Sequence, residues 1–86
     1  MRLFLTRFFE RDYKDLPQAV RDQCDKQLLN LLKNSHHPSL HTSKIHGVES
    51  IWEGRISKDY RFTFQIAEDI YILRRAGQHD EILKRP

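Results

Sequence analysis

Ile51-Trp52-Glu53-Gly54-Arg55-Ile56-Ser57-Lys58-Asp59-Tyr60-Arg61-Phe62-Thr63-Phe64-Gln65-Ile66 decides how this chain folds. From Tyr60 onward, Tyr60, Phe62, Phe64 and Ile66 alternate with Arg61, Thr63 and Gln65, the two-residue period of a strand with one buried face. Residues 51–57 read as the strand before it and residues 70–75 as the strand after it, and the short gaps between them read as hairpin turns. Taking both turns as three-residue loops, Ser57-Lys58-Asp59 and Ala67-Glu68-Asp69, fixes a register. Tyr60 then faces Ile56, Phe62 faces Gly54 and Phe64 faces Trp52. On the next pair, Ile66 faces Ile70 and Phe64 faces Ile72. All of these share one face, the one that should meet a helix.

Upstream, Val20, Cys24, Leu28, Leu31 and Leu32 recur at helical spacing across residues 17–34, with a proline tolerated in the first turn. Residues 3–9 read as a first strand, residues 10–16 as a short helix or a turn, and residues 38–50 as a long His-rich connection. The expected architecture is α+β: an N-terminal strand, then a helical hairpin or long helix packed on one face of a small antiparallel sheet, in the order β-α-α-β-β-β. The first strand stands at an edge or pairs in parallel. With 86 residues, the whole span 1–86 is expected to form a single domain.

Composition narrows the class. No apolar run approaches the roughly 20 residues of a membrane span, and the N-terminus becomes charged too early for a signal peptide. A soluble, cytoplasmic protein with no membrane association is expected. Cys24 is the only cysteine, so no internal disulfide can form, and its place on the apolar stripe with Val20 and Leu28 makes it a buried thiol. The net charge of +3 is mild, so the position of the basic residues matters more than their number.

In the register above, the face opposite the helix sets Arg55, Arg61 and Arg75 side by side across three strands. Like charges directly opposed in a sheet are unfavourable, and such a row makes sense if a polyanion neutralises it, because guanidinium groups grip phosphate oxygens in pairs. A basic stripe on a sheet points to nucleic acid. Tyr71 falls on the same face and is the candidate for stacking on a base, whereas Trp52 belongs to the core side. His36, His37, His41 and His46 lie close together in sequence, but no Cys or carboxylate completes a zinc-type set, so no metal site and no cofactor are expected.

Lys44-Ile45-His46-Gly47, Ile51-Trp52-Glu53-Gly54-Arg55, Asp59-Tyr60-Arg61-Phe62 and Arg75-Ala76-Gly77-Gln78-His79 together resemble the RelE/ParE toxin superfamily of type II toxin-antitoxin systems. The ending is similar to the YafQ-like branch of mRNA interferases. That branch closes a strand with Arg-x-Gly-x-His, matched by Arg75, Gly77 and His79, and has an aromatic residue where Leu83 stands here. Its Asp-Trp at the start of the third strand is matched by Asp59 and, conservatively, Tyr60. Histidines of that branch fall near Arg55 and near His46. The chain departs from RelE itself, which carries paired lysines where Trp52 and Gly54 stand and a tyrosine near its C-terminus that is missing here.

The resemblance implies a metal-independent endoribonuclease that cleaves mRNA on the ribosome, inhibits translation, and is held inactive in a complex with a cognate antitoxin protein. It implies His79, Arg75, Asp59 and Arg61 as the catalytic set, and Lys44, His46, Arg55 and Tyr71 as RNA-binding residues. The ParE branch also lacks the RelE lysines. It binds DNA gyrase without cutting nucleic acid, so a non-catalytic toxin directed at a protein target stays open as the alternative.

Overall fold

A computed structural model describes all residues, Met1–Pro86. The order is β1 (Arg2–Leu5), α1 (Arg7–Asp15), α2 (Gln18–Lys33), a 3-10 turn (Pro38–Leu40), β2 (Ser43–Lys44), β3 (Trp52–Arg55), β4 (Tyr60–Ala67), β5 (Ile70–Gln78) and α3 (His79–Lys84). The strands form one sheet in the order β1-β5-β4-β3-β2. The central hairpins are antiparallel, while β1 pairs in parallel with β5 at one edge. The α+β class and the helix over residues 17–34 match the sequence reading.

The first strand is shorter than residues 3–9 because Thr6 stops it. Its backbone is extended, and its hydroxyl accepts the Phe9 amide as a helix N-cap, so Phe8 and Phe9 become the first turn of α1. Phe9 then points into the core and is fully buried.

On β3 and β4 the register is the expected one, with Trp52 opposite Phe64, Gly54 opposite Phe62 and Arg55 opposite Arg61. The second hairpin differs. Ala67 pairs with Ile70, leaving a two-residue turn, and Glu68 adopts a left-handed backbone with φ of 55°. The pairing therefore slides by one residue, and a one-residue slide exchanges the faces of a strand. Tyr71 and Leu73 take the buried places expected for Ile70 and Ile72, and Ile66 at the turn is 46% exposed. A bulge at Arg74 then changes the register again, so that Thr63 faces Arg75 and Arg61 faces Gly77.

The core lies between the sheet and the α1–α2 layer. It joins Phe9, Cys24, Leu28 and Leu31 to Phe62, Phe64, Tyr71, Leu73 and Ala76, with Val20, Leu32 and Trp52 packed at its margin. Gln27, also buried, donates its amide to the carbonyls of Ser39 and Arg55 and so ties α2 to the end of β3. The other face of the sheet is covered in part by the C-terminal segment. Ile82 of α3 packs against Gly77, where even a methyl group would meet its side chain at 3.2 Å. The Pro86 main-chain oxygen accepts from the Thr63 hydroxyl and the Arg74 Nε.

Candidate functional site

Where β3 turns into β4, the carbonyls of Ser57, Lys58 and Tyr60 come close together. One nitrogen of Arg61, Nη1, reaches back to all three at 2.6, 3.1 and 2.9 Å. Arg61 thus shapes the turn on which Asp59 sits, and its Nε and Nη2 remain free of protein partners. The His79 amide donates to the Asp59 carbonyl at 2.8 Å, which pins the start of α3 beside that turn. Between the two elements lies a depression of about 500 Å³, lined among others by Lys58, Asp59, Arg61, His79 and Asp80. The His79 side chain is 41% exposed, and its Nδ1 lies 3.4 Å from an Asp80 carboxylate oxygen.

Three of the expected catalytic residues therefore meet in one place. The fourth, Arg75, does not line that depression. Its Nε lies 2.6 Å from Asp12 Oδ2 of α1, and this hydrogen bond raises its already high pKa. The row of three arginines is thereby corrected to a pair. Arg55 and Arg61 stand opposite each other, while the two-residue turn and the bulge at Arg74 each shift the pairing by one residue and so set Arg75 opposite Thr63.

Two of the expected RNA-binding residues face the wrong way. Tyr71 is 5% exposed and packs edge-on against Phe64 in the core, so it has no ring face to offer a base. Lys44 pairs with Trp52, a residue of the helix-side face, and its ammonium sits 5.5 Å from the centre of that indole. His46 is exposed in the turn after β2, outside the depression. No group of three or more His, Cys, Asp or Glu side chains converges anywhere in the molecule.

Asp80 and Lys58 are the site residues that the sequence reading passed over. Asp80 had a signal: Asp80 and Glu81 follow His79 directly, and acidic residues in a first turn mark a helix start. Asp12 had none, being 63 positions from its partner.

The same arrangement of helices and sheet recurs in solved structures. A YoeB/ParE toxin from Agrobacterium tumefaciens superposes with a TM-score of 0.78 at 15% identity, over 92% of this chain and 99% of that one. RelE in the RelB-RelE antitoxin-toxin complex from Methanococcus jannaschii gives 0.73 at 23% identity, over 96% and 99%. This chain has the RelE/ParE toxin fold. YafQ from E. coli shares that fold with a TM-score of 0.72 at 15% identity, over 93% of this chain and 94% of YafQ. At such identities the likeness is one of architecture. No protein-family model and no curated relative matches the sequence. Within the RelE/ParE fold, the depression lies at the junction of the β3–β4 turn with the C-terminal helix, on the side of the sheet away from α1 and α2.

Proposed function

We propose that this chain is the toxin of a type II toxin-antitoxin pair and cleaves mRNA on the ribosome without a metal ion, in the depression between the β3–β4 turn and α3. The observation that carries this reading is the meeting of Asp59, Arg61 and His79 around that single depression.

RNA brings its own nucleophile. The 2′-oxygen attacks the adjacent phosphorus and the bond to the 5′-oxygen breaks, leaving a 2′,3′-cyclic phosphate and a 5′-hydroxyl. The proton from the 2′-hydroxyl passes to the Asp59 carboxylate. The departing 5′-oxygen takes a proton from His79, a residue type suited to acid and base work near neutrality. The free Nε and Nη2 of Arg61 hold the non-bridging phosphate oxygens as negative charge builds on them. Arg55, one strand away, adds long-range attraction for the RNA backbone. An acidic antitoxin segment crossing these arginines would mask the site.

One observation favours the second reading, a ParE-like toxin that binds a protein target. Arg75 is neutralised by Asp12 and supplies no charge to the depression. The two readings separate in ribosomes programmed with mRNA and given the purified protein. Discrete cuts that vanish in His79→Ala support the nuclease. No cuts on these ribosomes, together with growth arrest of cells expressing the chain that His79→Ala leaves unchanged, supports the protein binder.

A further inference from the structure

α3 has the His79 depression at its start and a second, larger groove at its end. That groove encloses about 760 Å³, and its walls include Arg7 and Phe8 from the start of α1, Arg74 from the bulge in β5, and Arg85 and Pro86 after α3. Its volume is that of a ligand pocket rather than a packing defect. No acidic side chain lines it.

The charges around it are unbalanced. Arg7 and Arg85 make no ion pair, since the ion pairs of the molecule are Arg2–Asp69, Arg75–Asp12, His79–Asp80 and Lys84–Glu81. Arg74 is already engaged, donating to Gln65 Oε1 at 2.8 Å and to the Pro86 main-chain oxygen at 3.1 Å, so the uncommitted cations of the groove are Arg7 and Arg85. Beside these two cations Phe8 leaves 59% of its surface in water. Guanidinium groups next to an open aromatic ring suit a ligand that joins an anionic group to a flat apolar face. A nucleotide is such a ligand, with its phosphate on the arginines and its base on the ring.

We propose that this groove is a second nucleotide subsite for the RNA that is cut at His79. The inference rests on the ribonuclease reading. α3, from His79 to Lys84, rises about 7.5 Å at 1.5 Å per residue, and Arg85 and Pro86 add at most about 3.5 Å each, short enough for one strand of RNA to occupy both sites. The phosphate is held by Arg7 and Arg85, and the base lies against Phe8. Occupancy here raises affinity and fixes the direction of the strand, without touching the reacting phosphate.

The test uses the full chain and a short fluorescent RNA that is 2′-O-methylated at every position, which removes the nucleophile. Its affinity is measured across a range of salt, and cleavage of unmodified mRNA on ribosomes is followed in parallel. Arg7→Ala and Arg85→Ala, both at exposed positions, should each lower the slope of log affinity against log salt by about 0.7 for each phosphate left without its arginine. Phe8→Ala should weaken binding by about 5-fold or more and Phe8→Trp should restore it. In cleavage these variants should raise KM and leave kcat near wild type. If the wild type binds and cuts RNA while all three alanine variants keep its affinity and salt slope, the subsite is refuted and the ribonuclease reading survives. If the wild type neither binds the probe nor cuts mRNA on ribosomes, both fall. If the variants abolish binding of an acidic amphipathic peptide and leave RNA binding intact, the groove docks protein and the subsite is refuted.

Discussion

Asp12 Oδ2 accepts two hydrogen bonds at once, from the Arg75 Nε at 2.6 Å and from the Ala76 amide at 3.0 Å. β1 stops at Leu5, so the outer edge of β5 beyond Leu73 has no strand beside it. Thr6 takes up the first exposed groups of that edge, and Asp12 takes the next. Arg75 is thus part of how α1 is fastened to the sheet.

Asp12→Ala should therefore cost on the order of 1–3 kcal/mol, the usual range for a hydrogen-bonded charged group that loses its partner. Urea denaturation measures it as a lower midpoint at unchanged slope. Arg75→Ala should destabilise to a similar degree, yet lower cleavage at a temperature where it is folded by much less than the roughly 100-fold typical of a lost transition-state donor. A 100-fold loss in folded Arg75→Ala protein would return Arg75 to the site.

Gly54 marks a second point where packing is strict. A Cβ built there would overlap the Phe62 ring, which is fully buried. The ring stacks on Phe64 in the core and must shift to admit a methyl group, so Gly54→Ala should destabilise by about 1–3 kcal/mol through overpacking. Thermal unfolding of Gly54→Ala beside Gly54→Ala/Phe62→Leu checks the cause, since the smaller partner should recover part of the loss.

Alkaline pH should unfold the protein in a defined window. Burial pushes the Cys24 thiol from 9.0 up to about 12, and the hydrogen bond to Asp25 raises Tyr13 from 10.0 to about 12. In both cases the folded chain holds its proton more tightly than the unfolded chain. The stabilisation is thus fully present below the unfolded pKa and is lost as pH rises through the folded one. The midpoint of thermal unfolding should be level up to about pH 9 and fall between there and pH 12. Cys24 should resist alkylation at about pH 8, near the ordinary thiol pKa, until the protein unfolds. Rapid alkylation of native protein would contradict its burial.

Local pattern carried much of this fold. The alternation from Tyr60 to Ile66 and the helical recurrence of Cys24, Leu28 and Leu31 reflect side chains that must be buried whatever surrounds them, and both elements stand where the pattern puts them. The β3–β4 register followed because Gly54, with no side chain, leaves room for Phe62 across from it. The second hairpin was not legible. Its turn puts Glu68, a residue with a Cβ, at positive φ, and no residue near it announces a two-residue loop. That one-residue difference exchanged Tyr71 with Ile72, and with it the candidate stacking residue. In the site, Asp59, Arg61 and His79 were legible because motif and hairpin geometry place them at adjoining strand ends. Arg75 was misplaced because its partner is brought in by tertiary packing alone.

Cleavage by His79→Ala is the most direct measurement of the central claim. Purified wild-type protein and His79→Ala, matched for folding by circular dichroism, are given ribosomes engaged on mRNA, and the products are mapped by primer extension. The wild type should leave discrete cuts whose downstream fragments begin with a 5′-hydroxyl. His79→Ala should cut about 100 to 10,000 times more slowly, the range for loss of a general acid. Equal cutting by the two proteins would show that His79 does not carry the reaction, and the absence of cuts from both would show that this chain is not a ribonuclease.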